Sequence, residues 1–188
     1  MSTRAKTQKK SARPVTREAV IEAAFSVVER DGLAGLNMRR LADALKVQAP
    51  TIYWHAGDKA EVIRLMAAQI YDEAYAAVPD MDDWRLWLRR FGHAFRASLL
   101  KHRDSAQICV MARPPIDDVE DNAEAISAPL VNAGLDRATA LSCLASVLSF
   151  TLGWACYQQS DAMHDYLLKL IDFDDSFEKG LNALINGF

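Results

Sequence analysis

Apolar residues recur at spacings of three and four positions along nearly the whole chain, and no convincing segment alternates apolar and polar positions as a strand does. This periodicity predicts an all-α protein. The first helix is expected to follow Thr16, a suitable N-cap residue, and to stop at Asp31-Gly32. One stripe of this helix carries the apolar residues Val20, Ile21, Ala24, Phe25 and Val28.

Two short helices and one long helix are predicted next. The second helix opens after Asn37, and a short link leads to a third helix with Pro50 in its first turn, where the missing amide proton costs nothing. The third helix ends near Gly57. A fourth helix over residues 58–78 would extend about 30 Å at a rise of about 1.5 Å per residue, which is long enough to join a small head to a larger body.

Five further helices are predicted in the rest of the chain. An apolar stripe that begins at Trp84 defines the fifth helix, and a short sixth helix over 105–111 ends before Pro114 and Pro115. The last three helices are expected over residues 119–132, 137–159 and 175–186.

Composition and charge divide the chain into two parts. The 188 residues are 51% hydrophobic, which supplies ample apolar surface for a core, and carry a formal net charge of −3. Residues 1–60 hold eleven Lys/Arg and six Asp/Glu, against eleven and nineteen in the remainder, so the two parts carry +5 and −8. A cationic head on an acidic body fits a protein whose first part binds a polyanion. The basic start, residues 1–13, is either a DNA-contacting arm or a solubilising tail.

The cysteine and histidine patterns bear on location and on metal binding. Cys109, Cys143 and Cys156 are odd in number and not closely paired, which favours reduced thiols in the cytosol. No signal-peptide segment is expected after the basic start, and no uncharged run is expected to approach membrane-spanning length. The histidines lack the spacing of a metal site. The sequence therefore predicts a soluble, cytoplasmic protein without a metal ion or cofactor.

The second and third helices have the dimensions of a helix-turn-helix unit, in which two short helices joined by a tight turn fit the major groove of DNA. Six apolar residues can pack this pair onto the first helix, namely Met38, Leu41, Ala42, Leu45, Val47 and Ile52. Tyr53, Trp54 and His55 then point outward together, which is unusual for a solvated face and suits contact with DNA. A small three-helix domain that uses Tyr53 and Trp54 as core remains the alternative.

The segments LNMRRLA at 36–42 and VQAPTIYWH at 47–55 resemble the DNA-binding head of the tetracycline-repressor (TetR) family, and the ending Tyr-Trp-His resembles its tetracycline repressor branch. Later segments resemble, in the same order, the family's ligand-binding and dimerisation domain: Phe95-Arg96, Leu99-Leu100, His102-Arg103-Asp104, Ala112-Arg113-Pro114 and Phe150-Thr151-Leu152-Gly153. The resemblance implies a basic arm over 1–13, a helix-turn-helix domain over 14–60, and a helical effector-binding and dimerisation domain over 61–188. A long helix would join the last two.

The resemblance also implies roles for individual residues of the head. Base-reading or groove-lining positions would be held by Arg39, Pro50, Thr51, Tyr53 and His55. Phosphates would be held by Asn37, Trp54 and Lys59. These residue types suit those contacts, since Arg pairs with guanine, while Pro and the Thr methyl contact thymine methyls. Ala49 stands where the tetracycline repressor has a base-contacting glutamine, so a different operator is expected at that step.

In the resembled family a small molecule binds in an apolar tunnel of the second domain. The candidate effector-binding residues here are Tyr75, Phe91, Phe95, Cys109, Arg113, Ile126, Leu144, Leu148 and Tyr157, several of which could equally be plain core. Cys109 and Tyr157 stand at the histidine and glutamate positions through which the tetracycline repressor recognises its magnesium-chelated drug. Because these groups do not suit a hard cation, tetracycline-magnesium is rejected as the effector. Arg113 and His93 remain as polar candidates to orient an apolar, aromatic or anionic compound.

The sequence thus predicts a transcriptional repressor that binds a palindromic operator in double-stranded DNA as a homodimer and is released by a small, largely apolar or aromatic effector. The helices over 137–159 and 175–186 are expected to form the dimer, because the resembled family pairs such helices in a four-helix bundle. The alternative is a ligand-independent or activating regulator of the same fold. No nucleophile elbow or phosphate-binding glycine loop supports an enzyme.

Overall fold

A computed structural model of the protein describes residues 15–113 and 118–188. Within these two ranges the chain forms ten α-helices and no strand, which confirms the all-α prediction. The predicted basic arm over 1–13 and the helix stop at Pro114-Pro115 lie outside the described residues.

The first four helices begin where the cap residues predict. They are α1 (Arg17–Gly35), α2 (Met38–Leu45), α3 (Ala49–Ala56) and α4 (Lys59–Ala76). The side chains of Thr16, Asn37 and Asp58 each accept a backbone N–H bond from the first turn that follows, which satisfies a donor that has no partner inside the helix. The helical geometry of α1 is interrupted at Gly32, within the predicted stop at Asp31-Gly32, by φ 72° and ψ 169°, a conformation nearly confined to glycine. A further short helical piece continues after this kink to Gly35.

The remaining helices form the body of the molecule. They are α5 (Trp84–Leu100), α6 (Ser105–Met111), α7 (Val119–Asn132), α8 (Arg137–Gln158), α9 (Asp161–Leu167) and α10 (Phe173–Asn186). The sequence pattern did not predict α9. Met163 and Leu167 stand four residues apart, as in a helix, but none of the residues of α9 is buried and one such pair is a weak signal. The Asp172 side chain caps α10 by accepting from the Asp175 amide, so α10 begins two residues before its predicted start.

α4 joins the head to the body. It packs against α1 on one side and against α5 and α6 on the other. Val62, Met66 and Ile70 recur along α4 at spacings of four and are fully buried. The apolar core therefore runs without a break from the three-helix head into the body, which fixes the direction in which α4 leaves the recognition helix.

α8 corrects one expectation from the sequence. Residues 138–160 contain no charged side chain, and α8 is long and apolar enough, by length and composition, to cross a membrane. The expectation that no uncharged run approaches membrane-spanning length was therefore wrong. Only 33% of the apolar window in α8 is buried within the chain, although a helix that is apolar all round is normally covered on every side.

Candidate DNA-binding face and effector cavity

A tight turn sets the angle between α2 and α3. Lys46 ends α2 in the left-handed conformation at φ 56°, and the Val47 amide donates to the Ala42 carbonyl at 2.9 Å. Leu41 and Ile52 are fully buried where the pair rests on α1. The same burial turns the opposite face of α3 outward, so the packing of α2 and α3 is also what exposes the candidate DNA-binding side chains.

The outward face of α3 is aromatic. Trp54 is 86% exposed and Tyr53 is 52% exposed, so neither serves as core of a three-helix domain. The other candidates on α3 are also accessible: Pro50 is exposed, while Ala49, Thr51 and His55 are half-buried. All six lie on or beside the face that would enter a groove.

The candidate DNA-binding residues Asn37, Arg39 and Lys59 differ in how many contacts their side chains make within the protein. The Asn37 carboxamide caps α2 by accepting from the Arg40 amide at 3.0 Å. Arg40 is held by Asp31 at 3.1 Å, whereas its neighbour Arg39 is exposed and makes no ion pair with any described residue. Lys59, at the start of α4, is exposed. Arg39 is thus the arginine of α2 available to a base.

A cavity of about 480 Å³ lies in the body, within the range of roughly 300–1,000 Å³ typical of small-molecule sites. One face of α4 forms its longest wall, and α6, α7 and α8 complete it. Its lining consists of Arg64, Ala67, Ala68, Tyr71, Asp72, Tyr75, Cys109, Ala112, Arg113, Asn122, Ile126 and Leu148. Three alanines among these leave the space that larger side chains would fill.

Comparison with known proteins identifies the family. Residues 20–66 match the model described as bacterial regulatory proteins of the tetR family, and residues 78–167 match the tetracyclin repressor-like C-terminal domain. The tetracycline repressor protein class D of Escherichia coli is 30% identical over 195 residues, covering 93% of this chain and 89% of that protein. The chain belongs to the TetR family.

Solved structures of TetR proteins share the fold over almost their whole length. The crystal structure of TetR from Acinetobacter baumannii AYE is 30% identical, with a TM-score of 0.76 over 93% of this chain and 97% of that one. The TetR family protein ActR of Streptomyces coelicolor, in complex with (S)-DNPA, is 26% identical, with a TM-score of 0.74 over 93% and 97%. Proteins of the TetR family are transcriptional regulators and not enzymes, and they typically form homodimers that bind effectors.

The structure places five of the nine candidate effector residues around the cavity and four elsewhere. Those around the cavity are Tyr75, Cys109, Arg113, Ile126 and Leu148. Phe91 and Phe95 are fully buried one layer behind it, and Leu144 is buried in the core. Tyr157 is 49% exposed and does not line the cavity.

The polar candidate His93 also lies away from the cavity. Its Nε2 atom pairs with Glu178 Oε2 at 2.6 Å on the surface, and its ring meets the edge of Phe177. The residues that sequence reasoning missed lie mainly on α4, including Arg64, Tyr71 and Asp72. The spacing of Arg64, Ala68, Tyr71 and Tyr75 places them on one helical face, but only the packing of α6 and α7 shows that this face borders a cavity.

Two tyrosines and one cysteine make the inner wall polar but uncharged. Burial raises the pKa of Cys109 to about 12, partly offset by a hydrogen bond with Tyr71. Burial also raises the pKa of Tyr71 and of Tyr75 above the ordinary tyrosine range. The Tyr71 ring stacks on Phe95 with centroids 5.0 Å apart, and the Tyr75 hydroxyl donates to the Ile126 carbonyl at 3.4 Å. All three side chains are therefore neutral near pH 7 and held in place.

These donors do not fit a magnesium ion. Magnesium prefers carboxylate and carbonyl oxygens in octahedral geometry, whereas the wall offers a protonated thiol and phenols. The described residues contain no group of three or more His, Cys, Asp or Glu side chains that could hold a metal. The single carboxylate in the cavity lining is Asp72.

The turn between α5 and α6 joins the body to α1 of the head. The Asp104 carboxylate accepts from the Leu33 amide at 2.7 Å, and the Arg103 guanidinium donates to the Glu29 carbonyl at 3.2 Å. The His102 ring stacks on Phe25 with centroids 4.1 Å apart. The head is thus held at the junction by contacts that do not involve α4.

Burial lowers the pKa of His102 from its ordinary value of 6.5, although Glu73, 4.0 Å from its Nε2 atom, opposes the shift and Lys101 adds to it. As the pH falls below 6.5, the unfolded chain takes up a proton here before the folded chain does. The free energy of unfolding should therefore decrease across this range. We expect His102→Phe, which keeps a ring against Phe25, to flatten this dependence in urea titrations between about pH 7.5 and 5.5. The same dependence of the free energy of unfolding on pH in the wild type and in His102→Phe would contradict this prediction.

Proposed function

We propose that this protein is a homodimeric transcriptional repressor that binds a palindromic operator and leaves it when a small molecule occupies the cavity. The observation that carries the proposal is the double role of α4. This helix begins at Lys59, three residues after the recognition helix α3 ends at Ala56, and its face from Arg64 to Tyr75 lines the cavity. An occupant of the cavity would therefore press on the helix that positions the DNA-binding face.

The charge and exposure of the head support operator binding. Residues 1–60 carry +5, and the outward face of α3 presents Tyr53 and Trp54 to solvent at a size that suits groove contacts. Arg39, Pro50, Thr51, Tyr53 and His55 are the proposed base-reading or groove-lining residues. Asn37, Trp54 and Lys59 are the proposed phosphate contacts. Ala49 has no side-chain hydrogen-bonding group, so the operator should differ from the tetracycline operator where the relatives use glutamine.

The uncovered faces of α8 and α10 support the homodimer. Ala145 and Gly153 are exposed on α8, and Leu152 is only half-buried. On α10, Ala183 is exposed and Leu184 is half-buried. A second copy that packs the same helices in a four-helix bundle would cover these surfaces and match the symmetry of a palindrome. This arrangement accounts for the apolar composition of α8 in a cytoplasmic protein.

An effector other than tetracycline-magnesium follows from the cavity wall. The neutral Cys109, Tyr71 and Tyr75 side chains favour an apolar or aromatic molecule over a chelated cation. The ActR complex with (S)-DNPA is a precedent within the family for a ligand that is not a tetracycline. We assign residues 14–60 to DNA binding and 61–188 to effector binding and dimerisation.

Arg39 and Lys59 are expected to act differently on DNA. After the preferred site is selected from a random DNA pool, Arg39→Ala should reduce discrimination between bases at one position by about 1–3 kcal/mol. Lys59→Ala should weaken binding to all sequences and lower the slope of log K against log salt by about 1. Fluorescence anisotropy over a salt series measures both quantities. Equal losses on selected and random DNA for both variants would refute this division of roles.

Ala145→Arg is expected to convert the dimer into monomers, because it places an unpaired charge in the proposed apolar interface at a cost of about 3 kcal/mol or more. The matched control is Ala125→Arg, which adds the same charge to an exposed position on α7. Light scattering coupled to gel filtration at micromolar protein gives the masses. A wild-type monomer, or an Ala145→Arg dimer, would contradict the proposed interface.

Ala68→Trp should imitate an occupied cavity, because the indole would fill the cavity without touching α3. We expect this variant to bind the selected DNA more weakly than the wild type in the absence of any compound, and to show no further release by aromatic compounds that release the wild type. Ala76→Trp, at an exposed position of the same helix, is the control and should respond normally.

Release is followed by anisotropy with a panel of aromatic compounds that includes magnesium-tetracycline. Failure of every compound to release the wild type would favour a ligand-independent regulator. If magnesium-tetracycline bound the protein tightly and released it from DNA, only the exclusion of tetracycline-magnesium as the effector would be refuted.

A further inference from the structure

Arg64 places a positive charge at the end of the cavity nearest the head. It is the first residue of α4 to reach the lining, five positions after the helix begins at Lys59. Its side chain retains 29% of its exposure, so the guanidinium is neither fully buried nor fully solvated. A charge in this setting interacts more strongly with a partner than one in bulk water does.

The guanidinium of Arg64 is only partly hydrogen-bonded within the protein. Its Nε and Nη2 atoms donate to the two carboxylate oxygens of Glu61 at 2.8 and 2.6 Å. Its Nη1 atom makes no hydrogen bond with any residue that the structure describes. Three of the five N–H donors therefore remain for a ligand, two on Nη1 and the second on Nη2, in the planar geometry that suits a carboxylate.

The stretch of the cavity beyond Arg64 is uncharged. Ala67, Ala68 and the Tyr71 ring follow Arg64 on α4, and Cys109 faces them as a protonated thiol. Arg64 and Tyr71 are seven residues apart on one helical face, which corresponds to about 10 Å at a rise of about 1.5 Å per residue. This distance suits a ligand with an anionic end and an extended flat body.

The one acidic side chain of the cavity lining is remote from Arg64. Asp72 lies eight residues further along α4, about 12 Å away at the helical rise. The lining also includes Arg113, so its formal charges sum to +1 with Arg64, Arg113 and Asp72 counted. A negative group beside Arg64 would therefore lie far from Asp72, and the one carboxylate near it would be that of Glu61, which Arg64 already neutralises.

From these observations, and resting on the proposed function, we propose that the effector is an aromatic carboxylate of two or three fused rings. Its carboxylate binds the Nη1 edge of Arg64, and its rings lie against Tyr71 between Ala68 and Leu148. The carboxylate then shares the guanidinium with Glu61, whose Oε1 atom lies 3.9 Å from Arg17 in the first turn of α1. A ligand bound at Arg64 would therefore affect the head through the Glu61–Arg17 contact as well as through the packing of α4.

Direct binding to the full-length protein tests this inference without DNA. Isothermal titration compares 1-naphthoate and anthracene-9-carboxylate with their uncharged primary amides. At least one acid should bind the wild type about ten- to a hundredfold more tightly than its amide, the range expected for a charge-assisted hydrogen bond. Arg64→Gln should abolish this preference, whereas Arg64→Lys, which keeps the charge, should retain part of it.

The matched control is Arg30→Gln, which removes a similar two-point arginine–carboxylate pair, that of Arg30 with Asp31, from a site remote from this cavity. It should leave the preference for the acid unchanged. Equal affinity for acid and amide, failure of both acids to bind, or an unchanged preference in Arg64→Gln would overturn the inference. The proposed function would survive those results, because it fails only if DNA binding, dimerisation or release fails.

Discussion

The burial of one face of α4 is the constraint on which the rest of the molecule depends. Val62, Met66 and Ile70 are fully buried along α4, which packs against both the head and the body. A shift of α4 relative to the body would therefore disturb its packing against the head. A core packed at crystal-like density transmits such a displacement instead of absorbing it. The opposite face of the same helix lines the cavity. In the function that we propose, ligand size and DNA geometry are coupled through this one rigid element, whatever the chemical identity of the ligand.

The fold was predictable where local chemistry decides it. Thr16, Asn37 and Asp58 supply side-chain caps, so the starts of three helices follow from single residues. The outward face of α3 was predictable for a related reason, since Ile52 fixes which side is buried. α9 was not predicted, because one pair of apolar residues four apart, in a helix with no buried residue, is a weak signal. The uncharged stretch of α8 is visible in the sequence, but only the packing shows how much of it the chain leaves uncovered.

The cavity was only partly predictable, because a resemblance transfers positions but not the volumes around them. Phe91 and Phe95 were expected at the ligand, yet their rings pack behind Tyr75 and Tyr71 with centroids 4.6 and 5.0 Å apart. The two phenylalanine rings fill the layer behind the cavity, and the tyrosine rings that pack against them form the cavity wall. A residue one layer behind a site looks the same in the sequence as a residue that lines it. Only the packing of α4 against α5 separates the two.

The chemistry of the wall limits what the cavity can distinguish. Cys109 and Tyr71 are neutral because removing either proton would leave a charge in a poorly solvated place. Neutral groups of this kind contribute shape and single hydrogen bonds, and they discriminate weakly between apolar molecules of similar size. Charge discrimination must therefore come from the ends of the cavity. Arg64 is the charged end closest to the head, and in our proposal its existing bond to Glu61 links recognition of a negative charge to Arg17 in the first turn of α1.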